Sequence, residues 1–465
     1  MRCKKKIFIL QAKKLMRLAG PLIISNLAFT LLGSADTFFM GRVGPVELGA
    51  VGVASTLFLA ASVILRGTVG SAMILVSQAF GAGDKQKVKQ HFQQFIALAI
   101  ILAPIAIFLP TLFRMYFSLT KPDETVLVLA LQYMTIRSIE IPFSLISKTI
   151  SSFMLGVGNT KIPMGVSWIT VVVNLILNYL LVFGKLGFPR LGLAGAAWGT
   201  VVAQVIEMTI YILIVLKVYN KEYGLTKDLE LPTGKDVQKM ITLGFPMGLA
   251  DSIDICAFGI LMTLISRLGT IELAASQIAN QLNDLAFMPA FAIGTATGSL
   301  VGRSLGERNT EKAEKYTTLG IILGVGTMGL ISLCYWLIPQ IFILPFTPDP
   351  DVYKISKLLL RLMAFYQVFD VIYIVFRGAL NGAGQTRFTG IATALCVLGI
   401  FVPISYLGVY RFGFGLWGAW SGPVVYVLTL VVLLASRYKM GEWKEPWEKE
   451  SVLVKSKKQL SYEAS

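Results

Sequence analysis

Apolar runs of about 20 residues recur along the whole of this 465-residue chain, each long enough to cross about 30 Å of hydrocarbon as a helix. Six such spans are predicted in the first half, near 17–41, 50–80, 92–117, 125–158, 162–184 and 193–216. Six more follow, near 240–266, 272–302, 316–343, 353–380, 388–410 and 414–436. Charged residues make up only 15% of the chain, too few to cover a soluble protein of this length. The expected fold is an all-α integral membrane protein of twelve transmembrane helices.

The net charge of +16 is explained by where the basic residues lie. They gather at the Lys4-Lys5-Lys6 start, at Lys85, Lys87 and Lys89, between Lys217 and Lys239, between Arg303 and Lys315, and in the tail. These are the two termini and the even-numbered loops. The positive-inside rule then places both termini in the cytoplasm, in a multi-pass protein of the cell membrane. A nucleic-acid partner is not needed to account for the charge. The first span is too long for a cleaved signal peptide and lacks a small-residue cleavage site. Cys3, Cys256, Cys334 and Cys396 are scattered, which speaks against a disulfide framework or a metal site.

The chain repeats itself. "GPLII" at 20–24 and "RVGPVELGA" at 42–50 are answered by "GFPMG" at 244–248 and "RLGTIELAA" at 267–275. "QAFGAGDKQK" at 78–87 is answered by "RSLGERNTEK" at 303–312, and "GVGNTK" at 156–161 by "GAGQTR" at 382–387. "LGLAGAAWGTVV" at 191–202 pairs with "FGLWGAWSGPVV" at 414–425. The step is close to 225 residues throughout, as between Pro21 and Pro246. Two six-helix lobes are expected, 1–216 and 240–465, the second ending in a basic cytoplasmic tail. The polar stretch 217–239 reads as a cytoplasmic linker. An even number of helices per lobe makes the repeat parallel, with a substrate site between lobes and alternating access as the mechanism. One chain then suffices, and a monomer is expected.

No enzyme signature is present. "GVGNTK" lacks the G-x-x-x-x-G-K-[ST] pattern of a phosphate loop and reads as a tight turn, and neither H-E-x-x-H nor G-x-S-x-G occurs. His91, beside Lys89 at a helix start, is expected to be solvated. Uphill transport would therefore draw on an ion gradient, with no cofactor beyond the transported Na⁺ or H⁺. An acid at the bilayer centre costs roughly 2.5–3.5 kcal/mol, so each needs an account. Glu140, after Arg137 and before Lys148, reads as part of an ion-pair stripe on the fourth span. Glu207 has no partner legible in the sequence.

Asp36, near the far end of the first span, has no base within a turn. Asn174 and Asn178, four apart and so on one face, join Thr200 in offering it amides and a hydroxyl. The set Asp36, Asn174, Asn178 and Thr200 suits either a small cation such as Na⁺ or a proton on a desolvated carboxylate. The alternative is a polar network that only ties three helices together. In the second half Asp251 and Asp254 share a face, and Gln277, Asn280 and Asp284 form a stripe. Asp370 stands among aromatics in "YQVFDVIY". Acids beside ring faces suit a lipophilic organic cation. The counterparts of Asp36, Asp254 and Asp370 across the repeat are Leu261, Phe29 and Ser144, so the acids are specific to each lobe.

The ordered set of "PLIISNLAFTLLGSADTFFMGRVG", "VSQAFGAGDKQKV", "NLILNYLLVFG", "ASQIANQLNDLAFMPAFAIGTATGSLVGRSLG" and "FDVIYIVFRGALNGAGQTR" resembles the multidrug and toxic compound extrusion family, in its prokaryotic NorM-like and DinF-like branches. The resemblance implies twelve helices in two lobes and export of organic cations and drugs in exchange for Na⁺ or H⁺. By position it makes Asp36 the first-lobe coupling carboxylate with Asn174 and Thr200 as neighbours, and Asn178 stands where some members carry a second aspartate. Asp254, Gln277 and Asp370 match polar positions of the second-lobe cavity, with Asp254 where many members have glutamate. A flippase for lipid-linked sugars is the main alternative, but Arg66, Lys148 and Arg377 are too few and dispersed to meet a pyrophosphate. A membrane enzyme is the other, without any catalytic constellation to support it.

Overall fold

The computed structural model describes residues 2–120 and 123–448, and among these helices carry the chain and no strand forms. The side chains of the Lys4-Lys5-Lys6 start and the basic tail beyond 448 lie outside the described residues. Ten helices are long and apolar enough to span a bilayer, and two bent pairs bring the number to twelve. They are α1 (Phe8–Met40), α2 (Pro45–Gly81), α3 (Lys85–Leu102 with Ile105–Phe117), α4 (Glu124–Ser138 with Ile141–Gly156), α5 (Lys161–Phe183) and α6 (Leu193–Tyr223). The second half holds α7 (Gly234–Ser266), α8 (Thr270–Gly306), α9 (Thr310–Leu337), α10 (Pro350–Gly382), α11 (Thr386–Tyr410) and α12 (Gly415–Glu448). All twelve fall on the predicted spans.

Two spans are broken. α3 bends by 42° where Pro104 interrupts it, and α4 by 48° at Ile139–Glu140, with Pro142 opening its second part. A proline removes one backbone donor and collides with the carbonyl a turn earlier, which is why the breaks fall there. α6 does not stop at the membrane edge. It runs through a π-helical turn, Val215–Tyr219, as far as Tyr223, so the stretch 217–239 is helical at both ends around 224–233.

The duplication is visible in how the helices start and stop. Gly44 and Gly269 are the N-caps of α2 and α8, and the glutamate three residues on, Glu47 or Glu272, folds its carboxylate back over the glycine. A Cβ at either glycine would collide with that carboxylate. The helix ends match as well. Asn159 N–H donates to Met154 at 2.8 Å and Gln385 N–H to Leu380 at 2.9 Å, around Gly158 and Gly384 in the left-handed region. Asp84 N–H to Ala79 and Asn309 N–H to Ser304 form another such pair, at 3.1 and 2.9 Å. There the left-handed position is Gly83 in the first half but Arg308 in the second, at φ 57°.

The chain forms two compact units. One is Ile24–Val76 with Lys85–Ile255; the other comprises the described residues of Met1–Ile23, Ser77–Asp84 and Cys256–Ser465. Within the first, α5 and α6 approach closely because Gly195 and Gly199 lack side chains, and Gly67 of α2 meets the backbone of Gly248 on α7. Within the second, Gly294 and Gly298 of α8 lie against Gly378 and Gly382 of α10, where a Cβ at Gly298 would be 2.6 Å from the Gly378 carbonyl oxygen. Small residues that let backbones touch are the usual substitute for a hydrophobic drive between helices in lipid. Ile107, Phe108, Leu330 and Leu395 are among many large apolar side chains left exposed, as helices immersed in hydrocarbon require.

Candidate functional site

Asp36 lies one turn before the end of α1 and is 3% exposed. Burying a carboxylate costs several kcal/mol unless donors replace the lost water. Here they come from three other helices. Tyr133 of α4 donates its hydroxyl to Oδ2 at 2.5 Å, and Asn178 of α5 donates to Oδ1 at 2.9 Å. Thr200 of α6 stands 3.4 Å from Oδ1, with the Ala196 carbonyl nearer to its hydroxyl at 3.1 Å. Asn174 closes the set, donating to Thr200 at 3.0 Å and accepting from Asn178 at 3.3 Å. Asp36, Asn174, Asn178 and Thr200 thus form one network, each 3% exposed or less. Asn178 fits against α6 because Gly199 has no Cβ to occupy the place of its Oδ1.

The absence of a base near Asp36 in the sequence does not hold in space. Arg137 of α4 places Nη1 3.5 Å from Asp36 Oδ2 and Nε 3.2 Å from Glu140 Oε2. Its guanidinium also stacks 4.9 Å from the Phe58 ring centroid. Glu140 is 1% exposed and makes a closer ion pair with Arg66 of α2, at 2.8 Å. The expected stripe of Arg137, Glu140 and Lys148 is therefore only half right. Helix 4 bends at Glu140, and Lys148 beyond the bend has Arg66, Asp251 and Glu207 as charged neighbours. Glu207 has a partner after all: Gln204, one turn back, donates to it at 2.5 Å. Arg66 lies within electrostatic reach of both Arg137 and Lys148, while Arg377 belongs to the other compact unit.

The second acidic group assembles differently from the expected stripe. On α8 the stripe is replaced by the buried Asn283, whose Oδ1 accepts from Tyr366 at 3.2 Å and from Gln367 at 3.4 Å, both on α10. Asp370, one turn on, is 7% exposed, and Tyr366 lies within electrostatic reach of both Asp370 and Asp284. Gln277 and Asp284 are exposed, and Asn280 is half-buried. Asp254, also half-buried, belongs to the compact unit of α5 and α6 rather than to that of Asp370. His91 is half-buried, not solvated, because the chain around it is an internal turn of α3.

Sequence reasoning missed Tyr133, Arg137 as a neighbour of Asp36, Asn283, Tyr366 and Gln367. A signal existed for the first two: Tyr133 and Arg137 are four apart, and Glu140 follows three later, so all three share a face. Nothing in spacing alone ties that face to Asp36, 97 positions away.

Comparison with known proteins places these features. The MatE family model matches residues 21–180 and again 246–407, the two matches starting one repeat apart and covering more than half of the chain. The probable multidrug resistance protein NorM of Thermotoga maritima is 29% identical over 452 residues, covering 96% of this chain and 95% of that protein. The multidrug resistance protein NorM of Vibrio vulnificus strain YJ016 is 29% identical over 437 residues, at 92% and 95% coverage. Among solved structures, an outward-facing multidrug resistance MATE family transporter of the MOP superfamily superposes with a TM-score of 0.84 at 21% identity, covering 93% of this chain and 97% of that one. The eukaryotic MATE transporter AtDTX14 gives 0.84 at 18% identity, with coverage of 95% and 98%.

Proposed function

Because this chain belongs to the MatE family, whose members are transporters and not enzymes, we propose that it is a cation-coupled antiporter exporting lipophilic organic cations and drugs. The observation that carries the reading is Asp36: a buried carboxylate enclosed by side chains of α4, α5 and α6, in a protein that crosses the membrane many times. An intramembrane acid that merely tied helices together could be replaced by an uncharged polar group at less cost. A carboxylate that must bind and release a cation cannot.

In this reading the drug is taken up from the cytoplasmic side and held by acidic and aromatic groups, with Asp254, Asp284 and Asp370 supplying charge and Gln277 a polar contact. Na⁺ or H⁺ taken by Asp36, with Asn174, Asn178 and Thr200 around it, then favours the outward state that releases drug. The two ligands need only prefer opposite orientations of the lobes. The lobes are the halves 1–216 and 240–465, joined through 217–239. Both termini lie in the cytoplasm, the protein resides in the cytoplasmic membrane, and one chain is the working unit. Its partners are the bilayer and the small-molecule substrate.

The test is efflux of ethidium from proteoliposomes, under an imposed Na⁺ gradient and separately under a pH gradient. Asp36→Asn should abolish gradient-driven efflux with expression unchanged. An Asp36→Asn protein that pumps at the wild-type rate would remove Asp36 from the coupling role.

A further inference from the structure

Asp36 is held by hydrogen bonds from its neighbours, while Asn178 Oδ1 in the same cluster is buried without a hydrogen-bond partner. Tyr133 and Asn178 donate to it, Thr200 stands 3.4 Å away with the Ala196 carbonyl nearer to its hydroxyl, and all three are neutral. The base in contact with it is Arg137, with Nη1 at 3.5 Å. The other charged neighbours are Glu140 on α4 and Arg66 on α2, which is engaged with Glu140; α5 and α6 present only amides and a hydroxyl. An alkali ion on these carboxylate oxygens would meet the hydrogens of Tyr133 and the Asn178 amide, and a guanidinium beside Oδ2. In this arrangement the cation position beside Oδ2 is already filled from within the protein.

Arg137 has somewhere to go. Its Nε is 3.2 Å from Glu140 Oε2, so the planar fork faces both carboxylates at once. We propose that Arg137 is a tethered cation that sets the ion selectivity of Asp36: a transported cation takes the carboxylate only by displacing the guanidinium toward Glu140. Glu140 is the residue at which α4 bends, and it is held from α2 by Arg66. The exchange therefore shifts charge at a hinge. The inference rests on the reading of Asp36 as the coupling carboxylate.

The experiment is equilibrium binding of radioactive Na⁺ to the purified full-length protein in detergent. Wild type should hold Na⁺ weakly, and Arg137→Gln should bind it about tenfold or more tightly, because a competing unit charge about 4 Å away has been removed. Adding Asp36→Asn to Arg137→Gln should erase the gain. Arg137→Lys should lie between, since a point charge on a flexible stem cannot serve both carboxylates. A folded Arg137→Gln protein whose Na⁺ affinity stays within about twofold of wild type overturns the proposal. Should Arg137→Gln not fold, unchanged affinity in Arg137→Lys does the same. Loss of efflux in Asp36→Asn alongside unchanged Na⁺ binding in Arg137→Gln sinks the tethered cation alone; wild-type efflux in Asp36→Asn sinks the coupling reading beneath it.

Discussion

Gly199 is glycine because Asn178 needs the room. A methyl there would overlap the amide oxygen of Asn178, which is itself aligned on Asp36. Gly199→Ala must push the amide or the helix, at a cost of about 1–3 kcal/mol. The expected result is a lower melting temperature in detergent together with ethidium efflux reduced about tenfold or more. Normal efflux would mean that the Asn178–Asp36 bond is dispensable. Tyr133→Phe tests the same cluster from the opposite side. It takes away the 2.5 Å donor and leaves a buried carboxylate oxygen short of a partner, a loss of about 1–3 kcal/mol read as a fall in melting temperature. At this scale the sequence was informative about residue types and faces. Asn174 and Asn178 share a face because four residues make a turn. It was silent about Arg137 beside Asp36, because that contact joins two helices whose crossing no local pattern encodes.

The elements were legible because lipid imposes a length on each of them, and all twelve spans follow from apolar runs alone. Their irregularities were less so. α4 bends by 48° at Glu140, between Arg137 and Lys148, and a straight-helix projection has no means of showing that. Where two helices touch through glycine, the consequence is testable. Gly298 of α8 and Gly382 of α10 leave no space for a side chain, so Gly298→Leu should wedge the pair apart and cost about 1–3 kcal/mol or more. The check is the melting temperature and monodispersity of the detergent-purified protein; an unchanged melt would show that the α8–α10 contact yields easily. The repeat supplies a second element-level test. The left-handed turn after α2 uses Gly83, and its counterpart after α8 uses Arg308. Gly83→Ala should destabilise by about 1 kcal/mol, because a Cβ disfavours that conformation. Arg308→Gly should not.

The whole molecule is two copies of one scaffold, and the copies agree where backbone geometry is demanding. N-cap glycines under a glutamate, and helix ends closed by matching turns, recur one repeat apart, while Asp36 faces Leu261 across the duplication. Backbone turns preserve their sequence because few residues satisfy them; the acids, under no such backbone constraint, differ between the two halves. The same logic fixes the topology. Six helices per half return the chain to its starting side, so the turns at Gly83, Asn159 and Arg308 must share one face of the membrane, and the 184–192 loop must lie on the other. Basic residues at Lys85, Lys87, Lys89 and Arg303 to Lys315 predict, by the positive-inside rule, that the first face is cytoplasmic. Single cysteines placed at Asn159, Arg308 and Leu186 in a cysteine-free chain make this measurable. In intact cells a membrane-impermeant maleimide should label the cysteine at 186 alone, and after permeabilisation all three. Labelling at 159 or 308 in intact cells would invert the protein, and opposite behaviour of those two sites would break the parallel repeat itself.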